Sequence, residues 1–183
     1  MRIRINRAHY PVTVLGPGRR AGLWLQGCGI GCAGCVARDT WADDPATEVG
    51  MDAVLDWLRS VPGPVDGVTL SGGEPFDQPE ALHELLLRLH EWRAGRPIDL
   101  LCYSGRSMAV LRARFAAQLS LLDAVIPGRF LAGQAPGLQW RGSDNQELIP
   151  LTPLGHERYD AAVDRPAGPT RMQIGTDGDR IYH

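Results

Sequence analysis

Four short apolar runs, each closed by glycine and most separated by stretches of helical period, constrain this chain more than any other feature. "GLWLQG" (22–27) suits a buried strand. "MDAVLDWLRS" (51–60) places Met51, Val54, Leu55 and Leu58 at helical spacing, and a second strand follows at about Gly67–Ser71, ended by two glycines. "PEALHELLLRLHEWR" (79–93) begins with a proline suited to a first helical turn and lines up Leu82, Leu85, Leu86 and Leu89 on one face. A third strand is read in "PIDLLCYSG" (97–105), a helix around Met108–Leu121, and a last strand in "DAVIPG" (123–128). The order β-α-β-α-β-α-β predicts an α/β fold with a parallel sheet and right-handed crossovers. A complete eight-stranded α/β barrel typically takes about 250 residues, and this chain has 183. The expectation is one domain over 1–183, with an open or partial barrel core over about 20–130 and a loop-rich part over 128–183. A terminal hairpin is read in "RMQIGTDGDRIYH", turning at "TDGD". Ligands of such sheets sit at the carboxyl ends of the strands.

Composition narrows the setting. The net charge is −2, with 19 basic and 21 acidic residues, so nothing argues for a nucleic-acid partner. No apolar run approaches the roughly 20 residues needed to cross a bilayer, and "MRIRINRAHYPV" lacks the apolar segment of a signal peptide. The chain is therefore read as cytoplasmic, with no membrane partner. In that reducing setting clustered thiols point to metal binding or redox chemistry rather than to structural disulfides.

The thiols are clustered. Cys28, Cys32 and Cys35 follow the first strand with the spacing C-x3-C-x2-C, among Gly27, Gly29, Gly31 and Gly34. Sulfur-only ligand sets select zinc or iron–sulfur clusters, and glycines leave backbone N–H groups free to face cluster sulfur. A closed structural site takes four ligands. The remaining cysteine, Cys102, lies in the third strand and reads as a core residue. Three ligands leave one position open, which is where chemistry can occur.

"SGGEP" (71–75) ends the second strand. Gly72 and Gly73 allow a ligand or another backbone to come close, and Glu74 adds a carboxylate. Asp123 and Arg129 flank the last strand and read as a surface pair, although they are placed to orient a substrate. Trp140, Arg141 and Asn145 share a loop that suits either packing or contact with a partner. No acid–base or nucleophile–base pair is evident, as expected where a cofactor carries the difficult step.

The cysteine triplet and the GGE turn, in this order and after these strands, resemble the radical S-adenosylmethionine superfamily. The likeness extends over roughly residues 3 to 150. It includes "GCGIGCAGCVARDTW", "LSGGEP", "YSGR" and "LQWRGSDNQ", which resemble the small activating enzymes of glycyl-radical proteins such as anaerobic ribonucleotide reductase and pyruvate formate-lyase. The resemblance implies a partial, open α/β barrel and a [4Fe–4S] cluster held by Cys28, Cys32 and Cys35. S-adenosylmethionine would occupy the open iron and be cleaved reductively to a 5′-deoxyadenosyl radical. It further implies that Gly72, Gly73, Glu74 and Pro75 receive the methionine end of the cofactor. The backbone of Gly34, Cys35 and Val36 would meet the adenine, with Tyr103 and Ser104 near the ribose and methionine. The implied partners are a glycyl-radical enzyme as protein substrate and flavodoxin or ferredoxin as reductant. Three positions depart from the usual pattern: Gly34 where an aromatic residue is common, Ala37 where an Asn is usual, and Pro127 in place of an acidic residue. A radical enzyme acting on a peptide or small metabolite, and a non-enzymatic iron–sulfur or zinc module, are the competing readings.

Overall fold

The computed structural model describes residues 1–134, 137–168, 175–177 and 180–182. Strands β1 (Arg2–Val12), β2 (Arg20–Leu25) and β3 (Glu48–Gly50) precede helix α1 (Met51–Ser60). Then come β4 (Gly67–Gly72), α2 (Pro79–Arg93), β5 (Asp99–Ser104), α3 (Met108–Arg114), α4 (Ala116–Leu119) and β6 (Ala124–Pro127). The chain continues through β7 (Ile149–Pro150), α5 (Pro153–Val163), β8 (Gly175–Asp177) and β9 (Arg180–Tyr182).

Seven strands form one open sheet in the order β3-β1-β2-β4-β5-β6-β7. The expected parallel core is present: β2 pairs with β4, β4 with β5 and β5 with β6, all parallel. The sheet does not close, because antiparallel strands flank the core. β1 and β3 lie on one side and β7 on the other. Both edge strands are short, and β7 ends in a proline, which limits pairing with other chains.

The strand period of two sorts the core into two faces. Leu100 and Cys102 join Val68 and Leu70 under α1 to α4, where Val54, Leu58, Leu82, Leu86, Leu89 and Leu111 are buried. Leu101, Ala124 and Ile126 face the other way and meet Tyr159 and Ala162 of α5. The sheet is pinned by Arg20, whose guanidinium grips Asp99 in two bonds (Nη1 to Oδ1 3.0 Å, Nη2 to Oδ2 2.7 Å). Nε of Arg20 also donates to Thr69 Oγ1 at 2.6 Å, and the Tyr159 hydroxyl donates to Asp99. Both charged side chains are fully buried, so the ion pair crosses β2, β4 and β5 without water.

Four expectations need correction. The helix read over 108–121 is broken into α3 and α4 at Phe115, which leaves helical geometry (φ −134°) to pack on Phe76 with ring centroids 5.1 Å apart. The loop-rich reading of 128–183 missed α5, whose first turn is capped by Thr152 accepting from the Gly155 N–H. Asp123 is not a surface residue: it is buried, and it accepts from Arg93 at 2.5 Å and Thr152 Oγ1 at 2.6 Å. The core is also wider than 20–130, since Ile3 and Val12 of β1 and Leu148 are buried in it. The strands of the terminal hairpin pair as expected, while the Gly178–Asp179 part of its turn lies outside the described residues.

Candidate metal centre

Register brings the functional segments together. Leu25 pairs with Gly72, and Ser104 with Pro127, so β2, β4, β5 and β6 end at one edge of the sheet. The loops leaving those ends surround a cavity of about 750 Å³. Cys28, Cys32, Cys35 and Val36 line it from the first loop, Ser71, Gly72, Gly73 and Glu74 from the second, and Tyr103, Ser104 and Gly105 from the third. The three motifs thus converge at the carboxyl ends of the strands, where ligands of such sheets are expected.

The cysteine loop is held at both ends. The N–H of Gly27 donates to Thr40 O at 2.7 Å and that of Cys28 to Trp41 O at 3.1 Å, so the segment after the third cysteine folds back along the start of the loop. The Gly29 N–H donates to Asp77 Oδ2 at 2.7 Å, and Arg106 pairs with the same carboxylate. Across the cavity, Arg129 Nη2 donates to Ile30 O at 2.8 Å. Arg129 is therefore a brace of the loop rather than the partner of Asp123.

The GGE turn supports the loop from beneath. Gly73 N–H donates to Leu25 O at 2.8 Å and Glu74 N–H to Gly27 O at 2.9 Å. A Cβ on Gly73 would fall 2.2 Å from Gly27 O, and one on Gly72 (φ +93°) would fall 2.7 Å from the Leu25 nitrogen. Only glycine permits this approach. The Glu74 side chain is buried and accepts three hydrogen bonds: Phe76 N–H at 3.1 Å, Ser104 Oγ at 2.9 Å and Gly105 N–H at 2.7 Å. Burial pushes its carboxyl above the ordinary range, while these donors and Arg106 pull it back.

Two candidate residues are placed differently from the rest. Pro75 is buried beneath the turn and Gly34 is exposed, with its missing Cβ directed at Ala132; neither lines the cavity. Ser104 does line it, but its hydroxyl is engaged with Glu74 and with the Arg106 N–H. Tyr103 donates to Trp140 O at 2.8 Å. Trp140 packs edge-on against Tyr159, and Asn145 donates to Arg129 O at 2.9 Å. Sequence reasoning missed Asp77, three residues beyond Glu74 and the acceptor of the Gly29 N–H, and the far wall built by Gln139 and Arg165–Gly168. Arg165 carries its own signal only through the fold, as the partner of the Gln139 N–H.

The donor set fits an iron–sulfur cluster. Cys28 and Cys35 are partly exposed to the cavity, Cys32 is nearly buried, and all three are free thiols. Burial pushes the Cys28 thiol up, with Glu74 and Asp77 adding to the effect, while the N–H groups of Gly31 and Ile30 pull it down. The same N–H groups can stabilise a metal-bound thiolate. Among the described residues no three His, Cys, Asp or Glu side chains converge on one point suitable for a single ion. A cluster asks for a different arrangement, one thiolate on each of several irons. Cys102 is fully buried in β5 and its thiol donates to Tyr103 O, so it is absent from the cavity wall.

No helix among the described residues is long and apolar enough to cross a membrane. Residues 14–149 match the family of 4Fe-4S single cluster domains. The chain is 33% identical over 150 residues to the anaerobic ribonucleoside-triphosphate reductase-activating protein of Vibrio cholerae, covering 79% of this chain and 96% of that one. The Escherichia coli K12 protein of the same name is 31% identical over 144 residues, covering 75% and 93%. A shorter match, 39% over 84 residues, joins 43% of this chain to 34% of the pyruvate formate-lyase-activating enzyme of Staphylococcus aureus. Taken with the cysteine loop and the GGE turn, these matches show that the chain is an iron–sulfur enzyme of the radical S-adenosylmethionine superfamily and belongs to the 4Fe-4S single cluster domain family, with the anaerobic ribonucleoside-triphosphate reductase-activating proteins.

Proposed function

We propose that this enzyme activates a partner protein by removing a hydrogen atom from one of its backbone glycines. The partner is a glycyl-radical enzyme, in keeping with the reductase named by its relatives. One observation carries the reading: the three cysteines and the GGE turn open onto the same cavity at the strand ends. Cys28, Cys32 and Cys35 would hold a [4Fe–4S] cluster with one open iron, and that group, when reduced, would supply the electron for cleavage of S-adenosylmethionine to a 5′-deoxyadenosyl radical.

The chain's own residues do the rest. Cys28, Cys32 and Cys35 hold the cluster, and their loop is fixed by Thr40, Trp41 and Asp77. Gly72 and Gly73 present backbone oxygens to the methionine ammonium. Glu74 acts mainly through structure, keeping the ends of β4 and β5 together by its bonds to Ser104 and Gly105. The exposed Val36 and the backbone beside it meet the adenine. Apolar wall residues such as Ile30 and Phe130 limit water around the reacting atoms. Flavodoxin or ferredoxin supplies the electron.

The test is anaerobic reconstitution with iron and sulfide, reduction with dithionite, and addition of S-adenosylmethionine. Release of 5′-deoxyadenosine that is lost in Cys32→Ala supports the reading. An intact cluster with no release contradicts it and leaves an electron carrier.

A further inference from the structure

The far wall of the cavity carries an unsatisfied set of polar groups that the cofactor reading does not use. Arg141 is only 7% exposed and lines the cavity. Its Nη2 donates to Val163 O at 2.7 Å, but Nε and Nη1 are buried without a partner among the described residues. Two positions earlier, Gln139 lines the same cavity, and its Oε1 is likewise buried and unpartnered. An orphaned buried donor or acceptor destabilises the fold, and more so when it is charged. All three atoms are sealed just beneath the wall surface, and a ligand that drew the two side chains toward the cavity would satisfy them.

The wall is built to hold them in place. Gln139 N–H donates to Arg165 O at 2.9 Å, Ala167 N–H donates to Gly137 O at 2.9 Å, and Leu138 bridges Pro166. Between the two residues, Trp140 adopts the left-handed conformation (φ +62°), unusual for a bulky side chain. The bond from Tyr103 and the edge-on contact with Tyr159 retain it there. Strain of this kind persists only where the surroundings over-determine it.

We propose that Arg141 and Gln139 form a receptor for the main chain of the entering protein segment. A peptide carbonyl oxygen accepts from Arg141, and a peptide N–H donates to Gln139 Oε1. A carboxylate would match Arg141 but would set negative charge against the Gln139 oxygen. The two unpartnered atoms, Nε and Nη1, lie on opposite sides of the guanidinium and do not form a two-pronged face together. Two neighbouring peptide groups offer two acceptors, for Arg141 Nε and Nη1, and a donor for Gln139 Oε1, which is the set the wall lacks. A grip on backbone suits an enzyme whose target atom is a glycine Cα with no side chain to recognise. The inference rests on the protein-substrate reading and names the part of the substrate that is held.

The test uses reconstituted holoenzyme, S-adenosylmethionine and an immobilised set of N-acetylated, C-amidated pentapeptides with a central glycine. Wild type is expected to retain members of the set. Arg141→Gln and Gln139→Met should each weaken the best of them tenfold or more. The S-adenosylmethionine concentration giving half-maximal 5′-deoxyadenosine release should move less than twofold. In the strongest binder, one amide N–H at a time is replaced by an ester oxygen. One such change should weaken binding to wild type and have little further effect on Gln139→Met. Far-UV dichroism and cluster absorbance of each variant report on folding separately.

Retention of no peptide by wild type would overturn the proposal, and so would equal retention by the variants. A large shift in the S-adenosylmethionine requirement of Arg141→Gln with peptide affinity intact would instead assign Arg141 to the cofactor carboxylate. Failure of wild type to release 5′-deoxyadenosine would sink the activity, while peptide retention is read independently of it.

Discussion

Ser104 donates from Oγ to Glu74 Oε1 at 2.9 Å, so one buried carboxylate joins the end of β4 to the end of β5 directly under the cysteine loop. Its other oxygen accepts from the Gly105 N–H at 2.7 Å. Glu74→Gln would set an amide N–H₂ against one of these donors. We expect it to lower unfolding stability by about 1–3 kcal/mol, read from urea denaturation of the iron-free protein. Unchanged stability would show that the carboxylate does not act as a brace.

Gly73 lies against the start of the cysteine loop with no room for a side chain. In Gly73→Ala the new methyl would stand 2.2 Å from Gly27 O, a backbone atom that cannot swing away. The loop must then leave the GGE turn, and reconstituted iron per chain should fall severalfold while far-UV dichroism stays native. Full iron content in this variant would mean that the turn does not set the loop.

Arg20 and Asp99 are buried beyond reach of water, far from the cavity chemistry but central to the sheet that creates it. Removing one partner leaves an uncompensated charge inside the protein. Asp99→Asn should therefore cost about 3–5 kcal/mol. Arg20→Met in the Asp99→Asn background should cost markedly less than the two single losses summed. Arg20→Lys should not restore stability, since an ammonium cannot reproduce the two-bond grip or reach Thr69 and Val68 as well. Additive losses in urea denaturation would show that the pair is not a unit.

Cys102 separates core cysteine from ligand cysteine. Cys102→Ala should reconstitute with wild-type iron and sulfide content at a modest loss of stability, about 1–2 kcal/mol. Cys28→Ala, Cys32→Ala and Cys35→Ala should each lose most of the cluster. Iron and sulfide analysis decides between these outcomes, and loss of the cluster in Cys102→Ala would make it a fourth ligand.

Much of the architecture could be read from the chain because the relevant signals are local. The helical period at 51–60 and 79–93 and the strands at the centre of the sheet follow directly from apolar spacing. The cysteine loop and the GGE turn could be read because their chemistry is fixed by residue type and order. α5 was illegible for a physical reason. Its buried positions are Gly155, Tyr159 and Ala162, and Gly155 packs so tightly on Asp123 that a Cβ would fall 1.9 Å from the Asp123 oxygen. Contact made through a missing side chain leaves no hydrophobic signature. Asp123 was misread because burial of a carboxylate depends on Arg93 and Thr152, 30 and 29 residues away. The break at Phe115 likewise depends on packing against Phe76, which helical period alone does not encode. The receptor wall joins Gln139 to Arg165 through the fold, so neither residue stands out in the linear chain.

An iron–sulfur cluster gripped by only three protein sulfurs would leave one iron for the cofactor. Mössbauer spectroscopy of protein reconstituted with ⁵⁷Fe, recorded with and without S-adenosylmethionine, tests this directly. Four irons per cluster are expected, one of which changes its isomer shift when S-adenosylmethionine is added. Four irons indifferent to that addition would show the remaining position to be closed by the protein and would contradict the three-sulfur site.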